Sequence, residues 1–199
     1  MGNCTQSTQI VEPSWLARPS TVVAPDLLGC TIVRQLADGK LLRGMIVETE
    51  AYAPGDPACH AYRRQTPRNE VMFGSAGQVY VYLIYGMYHC LNIVTDRDQV
   101  PSAVLIRALQ IQCIPPELDP GTSFKRDRLA AGPGKLCKVL QIDRSLNATP
   151  LKLGEPLWLE HRSPHLIPEV VQTTRIGLTK GVDLPWRWYL KDCPAVSKL

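Results

Sequence analysis

The stretch 78–95, Gln-Val-Tyr-Val-Tyr-Leu-Ile-Tyr-Gly-Met-Tyr-His-Cys-Leu-Asn-Ile-Val-Thr, decides the fold. It divides into two runs, 78–85 and 88–95, about Gly86 and Met87. Aromatic and β-branched residues suit a pleated, half-buried surface, and a glycine turn between two such runs reads as a hairpin. Four of the seven tyrosines, Tyr80, Tyr82, Tyr85 and Tyr88, fall within these residues. Period-two alternation puts Tyr80 and Tyr82 on one face, while Tyr85 and Tyr88 flank the turn. An aromatic ring and a methionine at a hairpin tip are apolar groups held in solvent, which marks a contact surface. A planar ring there can stack on bases or wedge into a duplex.

Working outward, the runs 31–36 and 41–50 form a second hairpin signal through Ala37-Asp38-Gly39-Lys40. The run 103–109 reads as another strand, and later strands are predicted at 156–160, 170–176 and 186–190. Helices are predicted at 124–131 and 135–140, with a short one capped by Ser20 or Thr21, containing Pro25 and stopped by Gly29. Residues 1–18 are polar and expected to be loose. Residues 53–77, rich in proline and glycine, form a loop of a length that compact domains usually keep for function. Strands in hairpin order with helices inserted give an α+β domain on an antiparallel sheet. Residues 19–199 are expected to be one domain.

Composition removes several function classes. The chain has 199 residues, 45% hydrophobic and 20% charged, which excludes a disordered protein. The net charge of +4 allows a nucleic-acid partner without demanding one. Seven cysteines are scattered so widely that the closest pair, Cys90 and Cys113, are 23 positions apart. That spacing argues against a zinc ribbon or iron–sulfur cluster, and the odd count suits a reducing compartment. Packing is the default reading for each thiol. Gly134-Lys135 lacks the rest of a phosphate-binding loop. No signal peptide or membrane span is expected, so the protein reads as intracellular: the cytoplasm of a bacterium or the nucleus of a eukaryote.

Three places could carry chemistry. In Val47-Glu48-Thr49-Glu50-Ala51-Tyr52, alternation puts Glu48, Glu50 and Tyr52 on one strand face. Such a face is either solvated or supplies a general base to a cleft. Arg107 lies inside the very apolar run Val104-Leu105-Ile106-Arg107-Ala108-Leu109. A charge there is costly unless paired, and Glu50 is the expected partner. Arg63-Arg64-Gln65-Thr66-Pro67-Arg68-Asn69 is either a solvated basic loop or a phosphate clamp. Lys135 and Arg144 add further positive charge with the same two readings. His60 has no Cys or His at ligand spacing, so metal binding is not expected.

Together these segments resemble the alkyladenine (3-methyladenine) DNA glycosylase family. The matching pieces are VETEAY at 47–52, HAYRRQTPRN at 60–69, VYVYLIYGMYHCLN at 79–92, LIRAL at 105–109 and GPGKLC at 132–137. They agree in order and spacing. The resemblance runs from about residue 15 to the C-terminus and fails only between Leu109 and Gly132, around Ile114-Pro115-Pro116-Glu117. It implies a single mixed α+β domain: a curved antiparallel sheet core, short surrounding helices and a protruding hairpin. It also implies excision of alkylated and deaminated purines from double-stranded DNA by cutting the N-glycosidic bond. No cofactor, metal or membrane is implied, and a monomer is expected.

The resemblance assigns roles residue by residue. Glu50 would activate the attacking water, with Arg107 and the Ile176 main-chain carbonyl helping to hold it. Tyr52, His60 and Tyr82 would wall the base pocket, and Asn92 would obstruct the exocyclic amine of guanine. Tyr85 would wedge into the duplex beside Met87 and Tyr88. Arg64, Thr66, Arg68, Lys135, Arg144 and Ser145 would contact the DNA backbone. Arg144 stands where the family can have lysine, which keeps the charge but changes its geometry. Rival readings are a glycosylase with lyase activity through Lys135, a non-catalytic nucleic-acid-binding module using the tyrosine hairpin, and a small-molecule hydrolase.

Overall fold

The computed structural model describes residues 9–114, 116, 119, 121 and 123–198. The long strand β2 (Leu41–Tyr52) is the spine of one antiparallel sheet. Its first half pairs with β1 (Thr31–Gln35), and its end pairs with β8 (Arg187–Leu190). Its other edge pairs along almost its whole length with β5 (Ala103–Cys113). The order runs β3 (Val79–Ile84), β4 (Tyr88–Val94), β5, β2, β1 and β6 (Leu157–Glu160), with β7 (Val170–Thr173) on β8. The sheet is curved, as the α+β expectation required.

The hairpin β3–β4 shows why this sequence makes a two-sided sheet. Val79, Val81, Leu91 and Ile93 point into the main core with Leu16, Leu27, Ile32, Ile106 and Leu136. The alternate residues Tyr80, Tyr82, Cys90 and Asn92 face the other way. The main core is closed by α2 (Ser20–Asp26) and α4 (Pro133–Val139), with α3 (Ser123–Leu129) beside them. On the opposite face the 53–77 loop builds a smaller cluster of Cys59, Ala61, Val71 and Met72 around Tyr80. Among the described residues no helix is long and apolar enough to cross a membrane.

Several expectations change. Residues 1–8 lie outside the described residues, but 9–18 are not loose: Ile10 bridges to Glu160, α1 (Pro13–Leu16) forms, and Val11 and Leu16 are buried. Neither Ser20 nor Thr21 caps α2. Pro19 occupies the N-cap position, and the buried Ser20 hydroxyl donates to the Tyr52 carbonyl at 3.1 Å. The hairpin turn lies on Tyr85-Gly86 rather than Gly86-Met87, both with positive φ (53° and 71°). Met87 N–H closes it onto the Ile84 carbonyl at 3.2 Å. β5 extends to Cys113, where the thiol is exposed rather than packed. β7 stops at Thr173, which frees 174–176 to leave the sheet. Of the 114–117 departure from the family's pattern, residues 115 and 117 lie outside the described residues.

Candidate active site

Strand register assembles the site. Across β3, β4, β5 and β2 the pairs Tyr80–Asn92, Asn92–Leu105 and Leu105–Glu50 form one row. Directly opposed residues on adjacent strands point to the same face, so four strands deliver side chains to one line. A register irregularity then adds the arginine. Glu48 pairs with Ala108 and Thr49 with Ile106, leaving Arg107 as the extra residue of a bulge. Bulges re-aim a side chain, and here the guanidinium lands between two carboxylates.

Glu50 is completely buried. Its Oε1 accepts from Ile176 N–H at 2.8 Å and lies 3.1 Å from Arg107 Nη1, while its Oε2 accepts from the Tyr52 hydroxyl at 2.9 Å. The pairing expected from the isolated arginine is therefore present. Ile176 reaches Glu50 through its N–H. Glu48 is equally buried and accepts from Arg107 Nε at 3.0 Å, Arg187 Nε at 2.8 Å and Ser197 N–H at 2.8 Å. Burial works against the Glu48 charge, but Arg107 and the donors from Ser197 and Arg187 outweigh it, so its pKa lies below the ordinary value. The solvated-face reading of these acids fails. Two carboxylates and two guanidiniums instead neutralise one another inside the protein.

Beside this cluster opens a cavity of about 490 Å³. Tyr52, His60, Tyr82, Asn92, Arg107 and Ile176 all line it. Its walls are aromatic: His60 meets Tyr82 edge-on at 4.5 Å between ring centroids, and Tyr80 lies 5.4 Å from Tyr82. His60 Nδ1 lies 2.8 Å from the Tyr80 hydroxyl. Desolvation, with Arg68 nearby, lowers the His60 pKa, so its ring is neutral at pH 7. Burial raises the pKa of Tyr52 and Tyr82, and that of Tyr80 to about 12, so these hydroxyls keep their protons. Asn92 is buried and donates to the Tyr80 carbonyl at 3.1 Å. Among the described residues no group of three or more His, Cys, Asp and Glu is placed to share a metal ion.

The hairpin tip overhangs this cavity. Tyr85, Met87 and Tyr88 are 79%, 67% and 49% exposed, and Tyr85 and Tyr88 edge the opening. Tyr88 rests on Gly134 at the start of α4, where a Cβ would come within 2.9 Å of the ring. Only glycine allows that approach. Of the six backbone-contact candidates, Lys135 is exposed on the cavity rim and Arg68 reaches over the Tyr82 ring at 5.7 Å. Arg64 is exposed and Thr66 half-buried on the same loop. Arg144 and Ser145 are exposed but lie away from the cavity, in a turn beside β3. The Ser145 hydroxyl is engaged by Asp143 Oδ1 at 2.5 Å.

Sequence reasoning missed three supporting residues. Asn69, buried, accepts from Thr66 N–H at 2.6 Å and donates to the His60 and Arg64 carbonyls at 2.9 and 3.1 Å, so it shapes the whole basic loop. Asp56 and Arg175 form a fully buried ion pair behind Tyr52. Asp56 also accepts from Ala58 N–H at 3.0 Å, the ordinary behaviour of a turn aspartate, so its sequence carried only a turn signal.

Comparisons with known proteins give the family of the chain. Residues 14–194 match the family profile of methylpurine-DNA glycosylase. A protein of Trichodesmium erythraeum, provisionally named a 3-methyladenine DNA glycosylase, is 59% identical over 199 residues, covering 96% of this chain and 99% of the relative. One from a Synechococcus strain with the same provisional name is 57% identical over 189 residues, covering 92% and 96%. One from Methanocella arvoryzae, again so named, is 48% identical over 189 residues, covering 91% and 92%. Matched by the profile over most of its length and by relatives more than half identical to it, the chain is a member of the methylpurine-DNA glycosylase family.

Proposed function

We propose that this DNA glycosylase accepts a damaged purine, flipped out of duplex DNA, into the aromatic cavity and hydrolyses its N-glycosidic bond with water activated by Glu50. The observation that carries this reading is the buried Glu50, fixed by Arg107, Ile176 and Tyr52 directly behind that cavity. Each of those three residues lines the cavity while Glu50 lies fully buried behind them, and on this reading the attacking water sits among them at the cavity floor. Glu50 takes a proton from the water as the oxygen bonds to C1′ and the C1′–N bond breaks. The bonding pair leaves with the purine, and the carboxylate stabilises the positive charge that develops on the sugar. A base made cationic by alkylation leaves neutral without an acid, and it is attracted to electron-rich rings. A deaminated, neutral purine such as hypoxanthine needs a proton on the leaving base.

The test is release of free base from a methylated duplex and from an inosine-containing duplex, in the presence of a chelator. Free base with an intact abasic strand supports the proposal. Lesion-independent binding without release would make the protein a binding module, and borohydride-trapped covalent product would make Lys135 a nucleophile.

Binding to duplex DNA should weaken as salt rises. If Arg64, Arg68 and Lys135 each neutralise a phosphate, log K should fall with log salt at a slope of roughly −0.9 per contact, about −3 in all. A flat response in a salt titration would exclude the duplex as partner.

Tyr85 supplies a separate test. A tyrosine with φ 53° sits where type I′ turns favour Asn or Gly. The left-handed conformation costs such a residue about 1–2 kcal/mol. Turn formation does not account for a tyrosine here, whereas filling a vacated base stack does. Tyr85→Ala should therefore leave the melting temperature within about 2 °C, because the ring makes few folded-state contacts. It should lower the population of extruded base, since stacking on a ring is worth ~1–3 kcal/mol. A fluorescent base that brightens on unstacking reads this directly. An unchanged flipping signal with a melting temperature several degrees lower would make Tyr85 a structural residue.

A further inference from the structure

Behind the cavity lies a second buried ion pair that the mechanism above does not use. The side chains of Arg175 and Asp56 are both fully buried. Arg175 Nη2 donates to Asp56 Oδ1 at 2.9 Å and to the Gly181 carbonyl at 3.2 Å. Its Nη1 donates to Asp56 Oδ2 and to the Ala51 carbonyl, the latter at 3.0 Å. The guanidinium carbon is 4.7 Å from the centroid of the Tyr52 ring and 5.3 Å from that of Trp186. Tyr52 lines the cavity and Arg175 does not. The ring thus touches both the cavity and a permanent cation that does not itself line the cavity.

A cation held on one face of an aromatic ring draws electron density away from the other face. It also repels any second cation stacked across the ring, at a separation of about 10 Å or less, where salt hardly screens in a dry interior. An uncompensated Arg175 would thus work against a positively charged occupant. Asp56 removes that handicap, because both Nη atoms of the guanidinium contact its carboxylate.

We infer that the Asp56–Arg175 pair sets the specificity of the cavity: Asp56 cancels the charge that Arg175 places behind Tyr52, leaving the ring's cavity face able to accept a cationic base. The inference rests on the reading of this cavity as a purine pocket, and it names the charge state of the preferred purine. Arg175 is a positioning residue on this view, since it acts through Tyr52 and touches nothing in the cavity.

The experiment compares single-turnover excision of 7-methylguanine, a cationic base, with excision of hypoxanthine, a neutral one, from the same duplex sequence. Asp56→Asn keeps the shape and removes the negative charge. It should lower the 7-methylguanine to hypoxanthine rate ratio by roughly tenfold. The double variant Asp56→Asn/Arg175→Met removes both charges, and its ratio should return to within about threefold of wild type, whatever happens to the two rates. A purely structural role would depress both rates together and leave the ratio in place. Should Asp56→Asn fail to fold by circular dichroism, Arg175→Met alone decides, because the remaining carboxylate should raise the ratio. An unchanged ratio in whichever single variant folds overturns the inference while leaving the purine pocket intact. Wild-type protein that releases neither base overturns the pocket reading and the inference with it.

Discussion

Glu50→Gln should reduce base release by about 10²–10⁴, the usual cost of removing a general base, while lesion-duplex binding stays within about twofold. The geometry gives the reason for the separation. Glutamine keeps the size of the side chain and its carbonyl oxygen can still accept from Ile176 N–H. It cannot take a proton from water. Arg107 keeps a counter-ion in Glu48, so the substitution leaves no stranded guanidinium. Single-turnover base release and a mobility-shift titration on the same duplex measure the two quantities separately. A variant that retains activity within about threefold of wild type would remove Glu50 from the mechanism.

Arg107→Met should cost about 3–5 kcal/mol of folding stability at pH 7, because it leaves buried carboxylates short of their cation. Denaturant unfolding of both proteins gives the number. Its pH dependence carries a sign. In the wild type, Glu48 is held below its ordinary pKa: burial opposes the charge, and Arg107 together with the donors from Ser197 and Arg187 outweighs it. That stability is fully present above the unfolded-state value and is lost as pH falls through the folded-state one. In the variant the balance tips towards burial and the carboxyl pKa rises, so protonation relieves the folded state already in mildly acidic solution. The stability gap between wild type and variant should therefore narrow from pH 7 to pH 5. A gap that stays constant would mean that Arg107 does not hold Glu48.

What could be read from the sequence was whatever depends on local alternation. Period-two spacing placed Tyr80, Tyr82, Glu50 and Tyr52 on common faces before any register was known, and the cost of an unpaired Arg107 named Glu50 as its partner. The donors that complete the site come from elsewhere. Ile176 reaches Glu50 from 126 positions away through a main-chain N–H that no side-chain pattern encodes. Arg175 and Asp56 meet across 119 positions, each inside an unremarkable loop sequence. Arg187 finds Glu48 only because β8 pairs with the end of β2. The turn was misplaced by one residue for a related reason. Glycine signals where the chain can bend, but the strand register Ile84–Tyr88 decides which neighbour shares the strained conformation. The docked segment 9–18 escaped notice because four helical residues are too few for a periodic signal.

The contact between Ser197 N–H and Glu48 also has a consequence for the timing of synthesis. The two residues are 149 positions apart. At translation rates of about 5–20 residues per second, Glu48 leaves the ribosome roughly 7–30 s before its last donor does. Throughout that interval the carboxylate and Arg107 lack the segment that encloses them, and the C-terminal carbonyls bound by Arg128 and Arg187 have yet to emerge. A ribosome-stalled chain ending before Ser197 already contains every residue of the cavity wall, yet lacks the main-chain N–H that completes the Glu48 contacts. Glu48 thus gains its last main-chain donor later in synthesis than any residue of the cavity wall is made.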